Sequence, residues 1–151
     1  MALNIVLVEP EIPNNTGNIG RLALASGSRL HLVKPFGFSI NNTRLKRAGL
    51  DYWKHLDSII YDNITDFFNK NANKQMVYLS SHGSKNYCDI PFEDNLFLIF
   101  GKESTGLPKS LLDANKEMLY TIPLYSKHVR SLNLANAVSI VVYEGLKQLS
   151  I

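Results

Sequence analysis

The sequence predicts an α/β fold built on a mainly parallel sheet with helices on both faces, and three observations lead there. Short apolar runs suited to buried strands recur along the chain, as at Leu3 to Glu9 and Leu96 to Phe100. Segments with helix start and stop signals separate them, for instance a run closed by Gly27. Strands and helices alternate rather than segregate, which is the order that parallel sheets require. In such sheets ligands gather beyond the carboxyl ends of the strands.

The first strand is expected over Leu3 to Glu9. Pro10 and Pro13 then interrupt it, and Asn14-Asn15-Thr16-Gly17-Asn18-Ile19-Gly20-Arg21 opens a helix that Gly27 stops. This β-loop-α order is that of nucleotide-handling folds, yet Gly17 and Gly20 do not complete G-x-G-x-x-G. Gly101 to Gly106 is followed by Leu107 and Pro108, so it is not a phosphate-binding Walker loop either. A second strand is expected over Arg29 to Val33, and a basic turn of helix over Asn42 to Gly49, with Asn42 as its cap.

Arg44, Lys46 and Arg47, followed by Tyr52, Trp53, Lys54 and His55, mix cations with aromatics as phosphate contact and base stacking require. A solvated helix face with Tyr52 and Trp53 in the core accounts for them equally well. Further strands are expected over Ser58 to Tyr61, Gln75 to Ser80, Leu96 to Phe100 and Met118 to Leu124. Helices are expected over Thr65 to Asn71, Pro108 to Ala114 and Asn133 to Leu149. The last places Leu134, Val138, Val141, Val142, Gly145 and Leu149 on one stripe, which suits either the core or a dimer face.

A chain of 151 residues is the size of one domain, 1–151, and suffices to bury roughly 68–70% of its unfolded surface. Sixteen Lys and Arg against thirteen Asp and Glu give a formal charge of +3, which permits a nucleic-acid partner without demanding one. The single cysteine, Cys88, excludes an internal disulfide and points to a reducing, cytoplasmic setting. The apolar start is far shorter than the roughly 20 residues of a membrane span and has no basic leader, so no membrane role is expected. His31, His55, His82 and His128 show no metal-ligand spacing, and no metal is expected.

Three motifs then stand in register: Asn15-Thr-Gly-Asn-Ile-Gly-Arg21, Phe100-Gly-Lys-Glu-Ser-Thr-Gly-Leu-Pro108, and Ile122-Pro123 followed by Ser131-Leu-Asn-Leu-Ala-Asn-Ala137. Together they resemble the SPOUT superfamily of knotted RNA 2′-O-ribose methyltransferases, over essentially the whole chain. Glu9-Pro-Glu-Ile-Pro13, Arg47-Ala-Gly-Leu-Asp-Tyr52 and the minimal length are similar to its TrmL (YibK-like) type.

The resemblance implies a C-terminal trefoil knot, which is an exception to ordinary chain topology. It also implies a homodimer and S-adenosyl-L-methionine (SAM) as methyl donor. The substrate it implies is the wobble nucleotide of tRNA, a cytidine or modified uridine at position 34, in leucine isoacceptors. The donor pocket would be made by Leu79 and the loop after it, Gly101, Ile122, Leu124, Ser131, Leu132 and Ala137. Apolar side chains there suit adenine, and Gly101 permits close backbone approach.

Arg21 is the implied key catalytic residue, reaching the partner's donor across the dimer. A guanidinium stays protonated, so stabilising an alkoxide or gripping phosphate suits it better than acting as a base. Asn15, Glu103 and Asn133 fill the other polar positions of the catalytic motifs. Glu103 would hold Arg21 or a neighbouring loop, and Asn133 and Ser131 would bond the donor or orient the loop, a role for Asn133 compatible with capping the last helix. Lys127 and Arg130 join Arg44, Lys46 and Arg47 as expected RNA contacts. Two alternatives remain open at this point: a SPOUT 2′-O-methyltransferase acting on another RNA, and a non-catalytic knotted RNA-binding dimer.

Overall fold

A computed structural model of the chain describes residues 3–40 and 43–149. Seven strands form one sheet in the order β3-β2-β1-β6-β4-β7-β5, and every described pairing is parallel. The strands are β1 (Asn4–Val8), β2 (Arg29–Val33), β3 (Ser58–Tyr61), β4 (Met76–Leu79), β5 (Lys85–Asn86), β6 (Phe97–Phe100) and β7 (Leu119–Thr121). The helices are α1 (Pro13–Ala25), α2 (Thr43–Trp53), α3 (Ile64–Lys70), α4 (Lys109–Ala114) and α5 (Leu134–Gln148).

Strand alternation sends side chains to both faces, and both faces are covered. Ile5, Leu7, Leu30, Leu32 and Leu98 pack with Ile19 and Ala23 of α1 and Val138, Val141 and Val142 of α5. Val6, Val8, Val33 and Ile99 pack on the other face with Phe67 of α3, and Leu111 and Leu112 of α4 adjoin them. The stripe on α5 is therefore core of its own chain. Gly145 lies so close to Phe92 that a Cβ there would fall 2.6 Å from Phe92 Cε1. The opposite side of α5 leaves Ile140 and Tyr143 exposed.

Helix ends follow their local chemistry. Gly27 has φ +68°, and Ser28 N–H bonds Ala23 O at 2.8 Å while Gly27 N–H bonds Leu24 O at 3.2 Å. This is a Schellman closure that needs the left-handed conformation glycine adopts freely. Asn133 caps α5 by accepting from Asn136 N–H at 3.2 Å, as expected.

Several boundaries differ from expectation. The strand expected from Met118 to Leu124 keeps only Leu119–Thr121, because Pro123 has no N–H for a ladder. Helix α2 runs on through Gly49 to Trp53, since Trp53 gains packing against the core that offsets the modest cost of an interior glycine. The cap expected at Asn42 lies outside the described residues. Strand β5 was not expected, and its two residues are too short for a periodic signal.

One face of the sheet holds a buried polar chain. His31 Nε2–H donates to Asn4 Oδ1 and Nδ1 accepts from the Tyr61 hydroxyl, both at 2.8 Å, while Asn71 Nδ2 donates to the Tyr61 oxygen at 3.2 Å. The amide oxygen of Asn4 can only accept, which fixes the neutral tautomer. Burial, with the nearby Arg29 charge, pushes the His31 pKa down from 6.5 to about 4.

Candidate active site

A cleft of about 790 Å3 opens beyond the carboxyl ends of β4, β6 and β7, where open parallel sheets place their ligands. Leu79 ends β4, Gly101 follows β6, and Ile122 and Leu124 follow β7. Ser131, Leu132 and Ala137 come from the loop before α5 and its first turn. All seven positions expected to hold the donor line this one cleft.

Close backbone passages shape its floor. A Cβ on Gly101 would lie 2.1 Å from Gly106 C and 2.2 Å from Leu107 N, so only glycine fits. The loop after β4 is held against β7: Ser80 N–H bonds Tyr120 O at 3.0 Å, and a Cβ on Gly83 would lie 2.7 Å from Tyr120 C. Ile12, Ser80, His82, Thr105 and Thr121 also line the cleft. Ile12 and Thr105 fall within the quoted motifs and Ser80 and His82 within the loop after Leu79, whereas no motif marks Thr121.

Along one edge runs a polar chain. Glu103 Oε1 accepts from Glu11 N–H at 2.8 Å, and Oε2 accepts from Ile12 N–H at 2.8 Å and Asn15 Nδ2 at 3.2 Å. Asn15 Oδ1 accepts in turn from Asn133 Nδ2 at 3.1 Å. The N-cap residue of α1, Ile12, has no capping side chain, so the Glu103 carboxylate supplies an acceptor there and sits at the positive end of the helix. Glu103 thus holds a loop, and its hydrogen bonds do not include Arg21.

The clamp is reciprocal, a feature no local pattern in the sequence announces. Glu11 Oε1 accepts from Ser104 N–H at 2.8 Å, and Lys102 Nζ lies 3.0 Å from Glu9 Oε1. The hydrogen bonds from Ser104, with a smaller contribution from the Lys102 charge, hold the Glu11 carboxyl below its usual value. The signal was present as acidic residues between prolines in Glu9 to Pro13, without a partner to aim them at.

Of the expected catalytic residues, Asn15, Glu103 and Asn133 line the cleft and Arg21 does not. Arg21 is exposed on α1, its guanidinium carbon 4.9 Å from the Tyr52 ring centroid. Of the expected RNA contacts, Arg130 lines the cleft, while Arg44, Arg47 and Lys127 are exposed elsewhere. The Lys46 side chain lies outside the described residues. Trp53 is half-buried against the core, and Tyr52 stays partly exposed. Among the described residues no group of three or more His, Cys, Asp and Glu side chains could hold a metal, and no helix is long and apolar enough to cross a membrane.

An all-parallel α/β sheet with a ligand-sized cleft at its carboxyl edge, rimmed by loops from three strands, is the arrangement of a ligand-binding α/β domain, and its structural neighbours are SPOUT methyltransferases. The chain belongs to the SpoU rRNA Methylase family, whose pattern matches residues 2–143. An Escherichia coli K12 protein named tRNA (cytidine(34)-2′-O)-methyltransferase is 43% identical over 148 residues, spanning 97% of this chain and 94% of its own. A solved structure described as "Structural insights into the 2-OH methylation of C/U34 on tRNA" superposes with a TM-score of 0.94 at 41% identity, covering 99% of this chain and 97% of that one. An AdoMet-bound rRNA methyltransferase from Sinorhizobium meliloti superposes at 0.86 with 28% identity, covering 98% of this chain and 57% of its own.

Proposed function

We propose that the chain methylates the ribose 2′-hydroxyl of the wobble nucleotide, a cytidine or modified uridine at position 34, in tRNA, with SAM as donor and leucine isoacceptors as the substrates. The observation that carries this reading is the convergence of seven expected donor-pocket positions on one cleft. It occurs in a chain 43% identical to an enzyme named for that reaction.

The cleft suits the donor. Its volume is within the roughly 300–1,000 Å3 of small-molecule sites, and Leu79, Ile122, Leu124 and Leu132 offer apolar surface to adenine. Gly101 leaves room for an approach that any side chain would close. SAM supplies a methyl carbon already activated by a positive sulfur. The chain's tasks are to align that carbon with the ribose oxygen and to stabilise charge as the hydroxyl loses its proton. Asn15, Glu103 and Asn133 brace the start of α1 and the start of α5 along the cleft, and Arg21 provides the cation.

Arg21 is absent from the lining of its own chain's cleft, which supports delivery from a second copy in a homodimer. The exposed Ile140 and Tyr143 on α5 support such pairing. A C-terminal trefoil knot is supported by β7 lying between β4 and β5 and by the contact of Gly83 with the Tyr120 backbone. Arg44, Arg47, Lys127 and Arg130 are proposed to meet the tRNA backbone.

The test is methyl transfer from labelled SAM to unmodified tRNA, with the modified nucleoside mapped by mass spectrometry. The reading expects 2′-O-methylation at position 34, strongly slowed in Arg21→Ala. A folded protein that binds SAM and tRNA without transfer overturns it.

A further inference from the structure

Arg21 and Tyr52 meet across the contact between α1 and α2, with the guanidinium carbon 4.9 Å from the ring centroid. One residue along each helix, Gly20 and Trp53 approach so closely that a Cβ on Gly20 would fall 2.6 Å from Trp53 Cζ3 and 2.9 Å from Cε3. Trp53 packs against the main core. The seat of α2 on α1 is thus set beside the Arg21 pair, and Tyr52, 37% exposed, stands over the guanidinium.

We propose that Tyr52 is a positioning residue for Arg21, a shelf that restrains the guanidinium plane and leaves its donors free. The proposal rests on the reading of Arg21 as the group that meets the substrate. A long arginine side chain loses considerable rotamer freedom when it is immobilised. A carboxylate partner would restrain it too, but would occupy two of the five N–H donors and neutralise the charge. Among the described residues, the salt bridges include none to Arg21.

The guanidinium carbon lies over the ring face, where the ring quadrupole attracts the cation without taking up its donors as a carboxylate would. The ring therefore restrains the group and keeps its hydrogen bonds available for the reacting substrate oxygen. The Tyr52 hydroxyl has no part in this, so phenylalanine should serve as well.

The experiment uses the full chain with Tyr52→Phe, Tyr52→Ala, Arg21→Ala and the Tyr52→Ala/Arg21→Ala double variant. Single-turnover methyl transfer to tRNA should fall about fivefold in Tyr52→Ala, stay near wild type in Tyr52→Phe, and fall no further in the double variant than in Arg21→Ala. Affinities for tRNA and SAM should be unchanged. Nitrogen-15 relaxation at the Arg21 Nε–H should show a rigid side chain in wild type and Tyr52→Phe and a mobile one in Tyr52→Ala. An Arg21 Nε–H that stays rigid in Tyr52→Ala overturns the proposal, as does an equal loss of rate in both backgrounds. A loss of tRNA affinity in Tyr52→Ala would instead assign the ring to base stacking. If Arg21→Ala keeps full activity, the catalytic reading of Arg21 fails, while the relaxation result still decides whether Tyr52 restrains it.

Discussion

Asn133 Nδ2 donates to Asn15 Oδ1 at 3.1 Å, joining the starts of two helices 118 positions apart in sequence. The Glu103 carboxylate can only accept, so Asn15 must turn its amide nitrogen toward it and its oxygen toward Asn133. Asn133 then has its own oxygen left for the N–H of Asn136. One directed chain of hydrogen bonds fixes both helix starts at the edge of the cleft.

Breaking that chain should show in stability and donor binding together. Whichever way its amide turns, Glu103→Gln sets an N–H2 against donors, either Glu11 N–H or the pair Ile12 N–H and Asn15 Nδ2. A loss of about 1–3 kcal/mol is expected, read by urea unfolding, with weaker SAM binding by calorimetry.

Gly101→Ala should act on the cleft floor. The added methyl group would meet the Gly106 and Leu107 backbone, which cannot rotate away as a flexible side chain would. Calorimetry should show SAM affinity reduced by tenfold or more, about 1.4 kcal/mol. Wild-type affinity would mean the backbone approach at Gly101 has no bearing on the donor.

Stability should fall with acid through His31. Its folded pKa of about 4 lies below the unfolded value of 6.5, so the unfolded chain binds the extra proton between them. The contribution is complete above pH 6.5 and is lost as pH falls toward 4, amounting to at most about 3 kcal/mol. Urea unfolding across that range should show this slope, and His31→Gln should flatten it.

Substrate affinity should depend on salt through the exposed cations. Arg47→Ala and Arg130→Ala should each weaken tRNA binding and reduce the slope of log affinity against log salt by about one. Filter binding at several salt concentrations measures this, and unchanged slopes would remove those residues from the interface.

The centre of the sheet is legible because its strands are buried on both faces, and continuous apolar runs such as Phe97–Phe100 announce that burial. The cleft was legible only through the resemblance, since Leu79, Gly101 and Ala137 carry no chemistry that marks them apart. Long-range geometry was not legible. Nothing local to Glu11 and Ser104 says that their loops clasp each other, nor that Arg21 lies on Tyr52, because both contacts depend on how separate elements dock. Helix α2 outruns its local signal for the same reason, since tertiary packing of Trp53 outweighs the glycine at position 49.

The central claim is tested most directly by the nucleoside at position 34 of tRNA from cells that have, lack, or regain this protein. Mass spectrometry should find 2′-O-methylated cytidine or uridine there with the protein, the unmethylated ribose without it, and restoration by the wild-type chain but not by Arg21→Ala. An unchanged wobble nucleoside in cells lacking the protein would contradict the account.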